Sequence, residues 1–248
     1  MNLTIRHLLF PIASAAASIA VLLVWLLAKE DLASLMGEHG AIERGTAALF
    51  ILSSVGFAWI AVKSRRMVRA QAVFWSLLAL LCAGEESSWL QHELGFETPA
   101  ALVEANAQGE FNLHNLRGIH GGKLIEAESV SPALGLVSAQ NLFRAGFISY
   151  FLLLPAAAMI AGVRSILGRL QVAYLGWRAV ITIWMPIVTT VLLALVSAGE
   201  IKGFLAETRE LFYAVGFATL ALLLADYVRR QEPAQEDTAP PGGMQANA

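Results

Sequence analysis

Six long apolar blocks constrain this chain more than any other feature. They lie at about 8–28, 46–62, 70–90, 145–163, 178–198 and 211–228. A helix needs about 20 residues, at about 1.5 Å rise each, to cross the hydrocarbon core of a bilayer. Within lipid an unpaired backbone N–H or C=O has no water to turn to, so only helices and closed barrels span. The blocks show no alternation of period two, which rules against a barrel. The expected fold class is therefore all-α: a polytopic membrane helix bundle of about six transmembrane helices. A partly helical periplasmic segment, about 91–144, is expected between helices three and four. The six-helix domain would occupy 1–230. The tail at 231–248, rich in Pro, Gly, Ala and Gln, is expected to be a disordered cytoplasmic extension.

Composition narrows the class further. Of 248 residues, 57% are hydrophobic and only 15% are charged, too little polar surface for a soluble domain of this length. The formal net charge of -2 gives no electrostatic case for nucleic acid, so the lipid bilayer is the expected partner. The single cysteine, Cys82, lies inside an apolar run; one thiol makes no internal disulfide and no cysteine-based zinc site. The first apolar block follows Arg6 and His7 and is too long for a usual signal-peptide core, so it reads as a retained span. No phosphate-binding glycine loop, dinucleotide fingerprint, nucleophile elbow or haem-attachment motif occurs.

Orientation follows from the basic residues. Lys63, Arg65, Arg66 and Arg69 crowd the link between spans two and three, Arg164, Arg169 and Arg178 lie between spans four and five, and Arg229 and Arg230 follow span six. With these sides cytoplasmic, all six spans alternate and both termini are cytoplasmic, as expected in a bacterial inner (plasma) membrane. Glu30, Asp31, Glu38, Glu43, Glu207 and Glu210 then share the periplasmic side. Pro155 and Pro186 fall inside spans four and five and are expected to kink them. Asp226 is expected to pair with Arg229 or Arg230. An internal echo links 78–85 with 193–200: both segments end in Ala-Gly-Glu, so Glu85 and Glu200 would each follow a glycine near an outer helix end.

Span three carries the chemistry. Counting from Arg69, the outer end of the span falls near Trp89, which puts Glu85 and Glu86 at or inside the outer leaflet. Ionisable groups at that depth face a bundle interior or a wet cavity. The bland alternative makes both acids headgroup-level residues, with Trp89 as an interfacial anchor. The helix is expected to run on to Leu94 and stop at Gly95, which would put Glu85, Trp89 and His92 on one broad face. His92-Glu93 resembles the start of a zincin helix, but position 96 is Phe and the second histidine is missing. Thr98-Pro99 predicts a cap and first turn for a short helix over about 99–108. If the next stretch is helical, Glu110 and His114 share a face.

The candidate catalytic set is thus Glu85, Glu86, Glu110 and His114, with Gln91, Asn112, Asn115, Trp89 and Glu200 as candidate binding residues. Mixed Glu/His groups suit zinc, manganese or iron, and Glu86, Glu110 and His114 would be the ligands of a divalent metal. They equally suit a general acid–base pair or a polar plug, and a hydrogen-bonding role is the commoner fate of a single histidine.

The run Glu85-Glu86-x-Ser88-Trp89-x-Gln91, followed by Gln108-Gly109-Glu110-x-Asn112-Leu113-His114-Asn115, resembles a signature in an uncharacterised group of bacterial multi-pass membrane proteins. The resemblance implies a fold and a location but no reaction, and beyond 85–115 it extends only by hydropathy. Members of that group carry glycine after the tryptophan and no histidine after the glutamine. Here those positions are Leu90 and His92, which makes His92 a weaker site candidate. Three readings of function stand at this point. One is a periplasm-facing hydrolase or transferase acting on a lipid-type substrate, with Glu85 or Glu86 as base. Another is a proton-coupled transporter titrating Glu85, Glu86 and Glu200. The last is a non-catalytic assembly or sensor subunit whose outer segment docks a membrane-protein partner.

Overall fold

A computed structural model describes residues 2–3, 9–27, 40–106, 109–113 and 139–231. In chain order these form strand β1 (Asn2–Leu3), helices α1 (Leu9–Leu27), α2 (Ala41–Lys63) and α3 (Arg66–Glu86), a 3-10 turn (Ser88–Leu90), then α4 (Gln91–Leu94) and α5 (Ala100–Ala105). After 139 come α6 (Ala139–Ile148), a π-helical stretch (Ser149–Leu153), α7 (Leu154–Ala157), α8 (Ala161–Arg169), β2 (Tyr174–Leu175), α9 (Trp177–Leu195) and α10 (Gly199–Gln231). The fold is all-α, a helix bundle apart from the two-residue parallel pairing of β1 with β2. Among the described residues, α1, α2, α3, α9 and α10 are long and apolar enough to cross a membrane. The α6–α8 stretch makes a sixth span if its bent halves are taken together.

The outward faces explain why the chain needs lipid. Leu27, Val62 and Leu195 are 78%, 77% and 77% exposed, with Leu52, Leu77, Ile181 and Leu222 also on the outside. In water such a surface would aggregate; in a bilayer it is the solvated face. The inside is aromatic. Trp75 meets Phe151 and Phe217 edge to face, the latter with centroids at 5.5 Å, and Phe50 meets Phe217 the same way at 5.3 Å. Phe147 stacks on Phe151 at 4.2 Å. Helix α10 is the central post, packed against α2 and α9, while α2 and α3 form a hairpin and α1 leans on α9. At Gly216 a side chain would meet the Phe147 ring at 3.0 Å, so glycine is what lets α10 approach span four so closely.

Span four, expected over 145–163 with a kink at Pro155, is bent far more sharply than a kink. Its halves, Ala139–Ala157 and Ala161–Arg169, are bent by 116°. The π-helical stretch and Pro155 precede the bend, which removes regular i→i−4 pairing where the chain turns. Pro186 behaves differently: α9 runs through it without a break. Both prolines leave the carbonyl four residues earlier without its usual N–H donor, and both carbonyls find a side chain on another helix. Trp184 Nε1 donates to Phe151 O at 3.1 Å, and Ser14 Oγ donates to Thr182 O at 2.6 Å. Ser14 of span one thus repairs α9.

The basic end is tied by side-chain donors. Arg69 Nε donates to Ser64 O at 2.9 Å and Ala61 O at 3.1 Å, closing the last turn of α2. Gln71 clamps the 171–173 connection, donating to Gln171 O and accepting from Ala173 N, both at 2.8 Å. Arg230 pairs with Asp226 at 2.9 Å, while the Arg229 guanidinium lies 5.3 Å from the Trp59 ring centre. The echo between 78–85 and 193–200 does not extend to local structure. The first segment lies within continuous α3, whereas the second is broken where α9 ends at Leu195 and α10 starts at Gly199 with φ +61°. His7 and the 231–248 tail beyond Gln231 lie outside the described residues.

The paired carbonyl repair is testable. Ser14→Ala should lower unfolding stability in mixed micelles by about 1 kcal/mol. In a Pro186→Ala background, where Thr182 O regains a backbone donor, the same change should cost close to nothing. Equal effects in both backgrounds would show that the hydroxyl serves something else.

Candidate functional site

The site begins where α3 ends. Ser87 stops the helix by returning both its N–H (3.1 Å) and its Oγ (2.9 Å) to Ala83 O. The next three residues, Ser88, Trp89 and Leu90, all have left-handed backbone, with φ of 45°, 57° and 61°. Three such residues in a row are strained without glycine, at roughly 1 kcal/mol or more each, and persist only when their surroundings hold them. This overturns the expected continuous helix to Leu94. The chain reverses instead, and α4 is a separate turn. The stop at Gly95 is as read from the sequence, with φ 67° and its N–H on Gln91 O at 2.9 Å. The short helix expected over 99–108 is α5, with Pro99 rather than Thr98 in the capping position.

What holds the reversal is a buried polar knot. Glu110 Oε2 accepts from Ser88 Oγ at 2.6 Å and from Asn112 Nδ2 at 2.8 Å. Asn112 Nδ2 also reaches Ser88 Oγ at 3.0 Å, and Asn106 Nδ2 donates to both the backbone and side-chain oxygens of Asn112 at 2.9 Å. Asn106, Ser88, Asn112 and Glu110 are only 1%, 2%, 4% and 8% exposed. His92 Nε2 stands 3.6 Å from Glu110 Oε1. Gln91 bridges the two halves: its Nε2 donates to Thr98 Oγ1 at 2.8 Å, and its Oε1 accepts Phe111 N at 2.7 Å. Phe96 and Phe111 close the outside edge to face at 5.6 Å.

Trp89 folds back over α3. Its Nε1 donates to Glu85 Oε1 at 3.0 Å, while Glu85 Oε2 accepts Leu113 N at 2.7 Å. The indole lies so close to Gly84 that an added Cβ would sit 2.8 Å from three ring atoms. The shared face expected for Glu85, Trp89 and His92 is thus replaced. Glu85 meets Trp89 through a folded-back loop, and His92 belongs to the knot. Leu90 holds φ 61°, a conformation that glycine would accept without strain.

Beside the knot lies a cavity of about 730 Å³ between α3, span four and α10. Its floor and walls are Phe50, Trp75, Phe147, Tyr150, Phe151 and Phe217, and its mouth carries Glu85, Glu86, Gln140, Arg144 and Glu210. Glu86 also borders a second, smaller cleft of about 200 Å³ with Glu43, Arg44 and Glu93. Glu85 and Glu86 therefore line a half-open chamber and are themselves half-buried. Sequence reading did not single out Arg144 or Tyr213, and named Glu210 only for topology. The spacing of Phe143, Phe147, Tyr150 and Phe151, one helical face, was the available signal for the chamber wall.

The candidates thus divide. Glu85, Trp89, Gln91, Glu110 and Asn112 are brought together by the knot and its latch, and Glu86 turns to the chamber. His114 and Asn115, like His39 and His120, lie outside the described residues, and so does the side chain of Glu200. The 109–113 stretch, which holds Glu110, is not helical. Among the described residues no three His, Cys, Asp or Glu side chains stand close enough together to hold a metal ion. No protein-family model, no curated protein and no solved structure matches this chain.

Two substitutions read out the loop. Gly84→Ala should push Trp89 off the helix and cost about 1–3 kcal/mol of local stability. The expected signs are faster amide exchange over 85–113 and a shifted tryptophan emission. Adding Trp89→Leu should recover most of the loss; no recovery would mean that the indole is not the neighbour that requires glycine. Leu90→Gly should stabilise the same loop by about 1 kcal/mol, since it removes left-handed strain from a half-exposed position.

Proposed function

We propose that this chain is a bacterial inner-membrane protein, with its basic ends and both termini cytoplasmic, that admits a lipid-type amphiphile from the periplasmic leaflet. It then acts on the polar head as a hydrolase or transferase. The observation that carries the reading is the lining of the chamber, about 730 Å³ walled by Phe50, Trp75, Phe147, Phe151 and Phe217 and bordered by Glu85, Glu86, Glu210 and Arg144. The positive-inside rule supports the orientation, since Lys63, Arg65, Arg66 and Arg69 all flank the α2–α3 turn. In this reading Glu86 is the general base. It takes the proton from a water or hydroxyl nucleophile as that oxygen attacks the head group, and the departing oxygen is protonated in turn. Glu85 and Glu110 position the cap, through Trp89 and Leu113 and through Ser88 and Asn112 respectively. Membership of that bacterial group is proposed from the sequence signature alone.

A second reading is favoured by the knot itself. Asn106, Glu110 and Asn112 are buried and bonded to one another. A loop so tied makes a rigid platform on which an assembly subunit would dock a membrane-protein partner. The carrier reading draws less support, because below its rim the chamber is walled by Phe147, Phe151 and Phe217.

Gly146 offers a clean test of the chamber, since an added Cβ there meets nothing within 4 Å. Gly146→Leu should fold normally and abolish retention of a fluorescent phospholipid by the purified protein. Glu86→Gln should retain the lipid but lower turnover of radiolabelled bilayer lipid by about 100-fold or more. Undiminished lipid retention in Gly146→Leu would remove the chamber from consideration. Undiminished turnover in Glu86→Gln would remove the base, and a stoichiometric partner with no turnover at all would favour the platform.

A further inference from the structure

We infer that α8 is an in-plane anchor for acidic phospholipid at the basic end of the bundle. Its outer apolar edge enters the acyl boundary, and Arg164 and Arg169 take the phosphates. The first half of span four, Ala139–Ala157, is about 28 Å long at about 1.5 Å per residue, close to the full hydrocarbon thickness. The 116° bend then turns Ala161–Arg169 past a right angle. With the first half crossing, α8 runs along the membrane surface, tipped back toward it. At 3.6 residues per turn, Ile160, Val163, Ile166, Leu167 and Leu170 gather in an arc of about 120°, while Arg164, Ser165 and Arg169 fall outside it. An amphipathic helix with arginines on its polar face settles at the headgroup boundary. One edge of the apolar arc is used by the protein: Leu167 is buried with Ala158 and Tyr174, and Val163 packs beside them. The other edge is open. Ile166 and Leu170, with Met159 and Ile160 at the bend, each leave more than half of their surface exposed.

The charges select the lipid. Arg164, Arg169 and Arg178 are exposed, and among the described residues their side chains form no ion pair or hydrogen bond. Gln71 holds the 171–173 connection at 2.8 Å, which brings the end of α8 beside the start of α3, where Arg65 and Arg66 are also exposed. Asp226, the carboxylate described at this end, is taken by Arg230. Counted from the sequence, the chain beyond Gln231 adds Glu232, Glu236 and Asp237, and the segment before α1 adds Arg6; basic residues still outnumber acids at this end. Trp177, exposed at the start of α9, suits the same interfacial level. A zwitterionic lipid carries an ammonium that neutralises its own phosphate. An acidic lipid leaves its phosphate to the guanidinium fork, a gain of about fivefold per arginine near the surface.

The test offers the full chain, purified in detergent, an equimolar mixture of dioleoyl phosphatidylglycerol and dioleoyl phosphatidylcholine. Retained lipid is counted by native mass spectrometry. Phosphatidylglycerol should be retained about tenfold or more over phosphatidylcholine. Arg164→Gln with Arg169→Gln should cut that ratio about fivefold or more, and Arg164→Lys with Arg169→Lys should keep most of it. Arg229→Gln with Arg230→Gln removes the same charge elsewhere at this end and should also keep most of it. Equal retention of the two lipids would overturn the inference. So would equal falls in the two glutamine pairs, which would make the preference a property of the whole basic end. Should the first pair fail to fold, spin labels decide. In a Cys82→Ser background, Ile166→Cys and Ser165→Cys are labelled in phosphatidylglycerol vesicles. The label at 166 should collide with oxygen in the acyl region, and the one at 165 with a water-soluble nickel chelate. Both labels in water, or both in the acyl region, would overturn the in-plane anchor.

Discussion

In lipid, a backbone carbonyl that loses its helical partner cannot turn to water, and much of this bundle follows from that constraint. Pro155 and Pro186 each free one carbonyl inside the membrane. Each is satisfied from another helix, by Trp184 and by Ser14. These two bonds tie span four to α9 and α9 to α1, so repairing the prolines also fixes which helices are neighbours. Because Trp184 holds Phe151 in place, the aromatic wall around Phe147, Phe151 and Phe217 is positioned by a hydrogen bond as much as by packing.

That wall is one side of the chamber, and the reversal after α3 provides its rim. Left-handed backbone at Ser88, Trp89 and Leu90 is unfavourable in isolation, and the buried bonds of Glu110, Asn112 and Asn106 offset it. Gly84 lets the indole lie flat against the helix, and the indole in turn orients Glu85. The polar residues of the loop thus do two separable jobs. One group is consumed in holding the backbone. The other, Glu86 with Arg144 and Glu210, lines the chamber beside it.

This division gives the functional reading its physical basis. A carboxylate already accepting two short hydrogen bonds at a few percent exposure is poorly placed to take a proton from a substrate, whereas one at the edge of a cavity is well placed. It also explains why a carboxylate and two amides recur over 106–112: buried there, they satisfy one another and Ser88.

The membrane class, the helical content and the positions of the spans were legible in the sequence, because apolar length and the need to pair every backbone group leave few alternatives. The pairing of Asp226 with Arg230 and the stop at Gly95 were legible for the same local reason: both depend on residues within one turn. That Pro155 would disturb span four was legible as well; the 116° size of the bend, the reversal at Ser88 and the burial of Glu110 were not. Each depends on a partner far along the chain: Trp184 for Phe151, Asn112 for Ser88, Gln91 for Phe111. Hydropathy and spacing record which residues want shelter, but the identity of the donor that provides it emerges only when the helices are brought side by side.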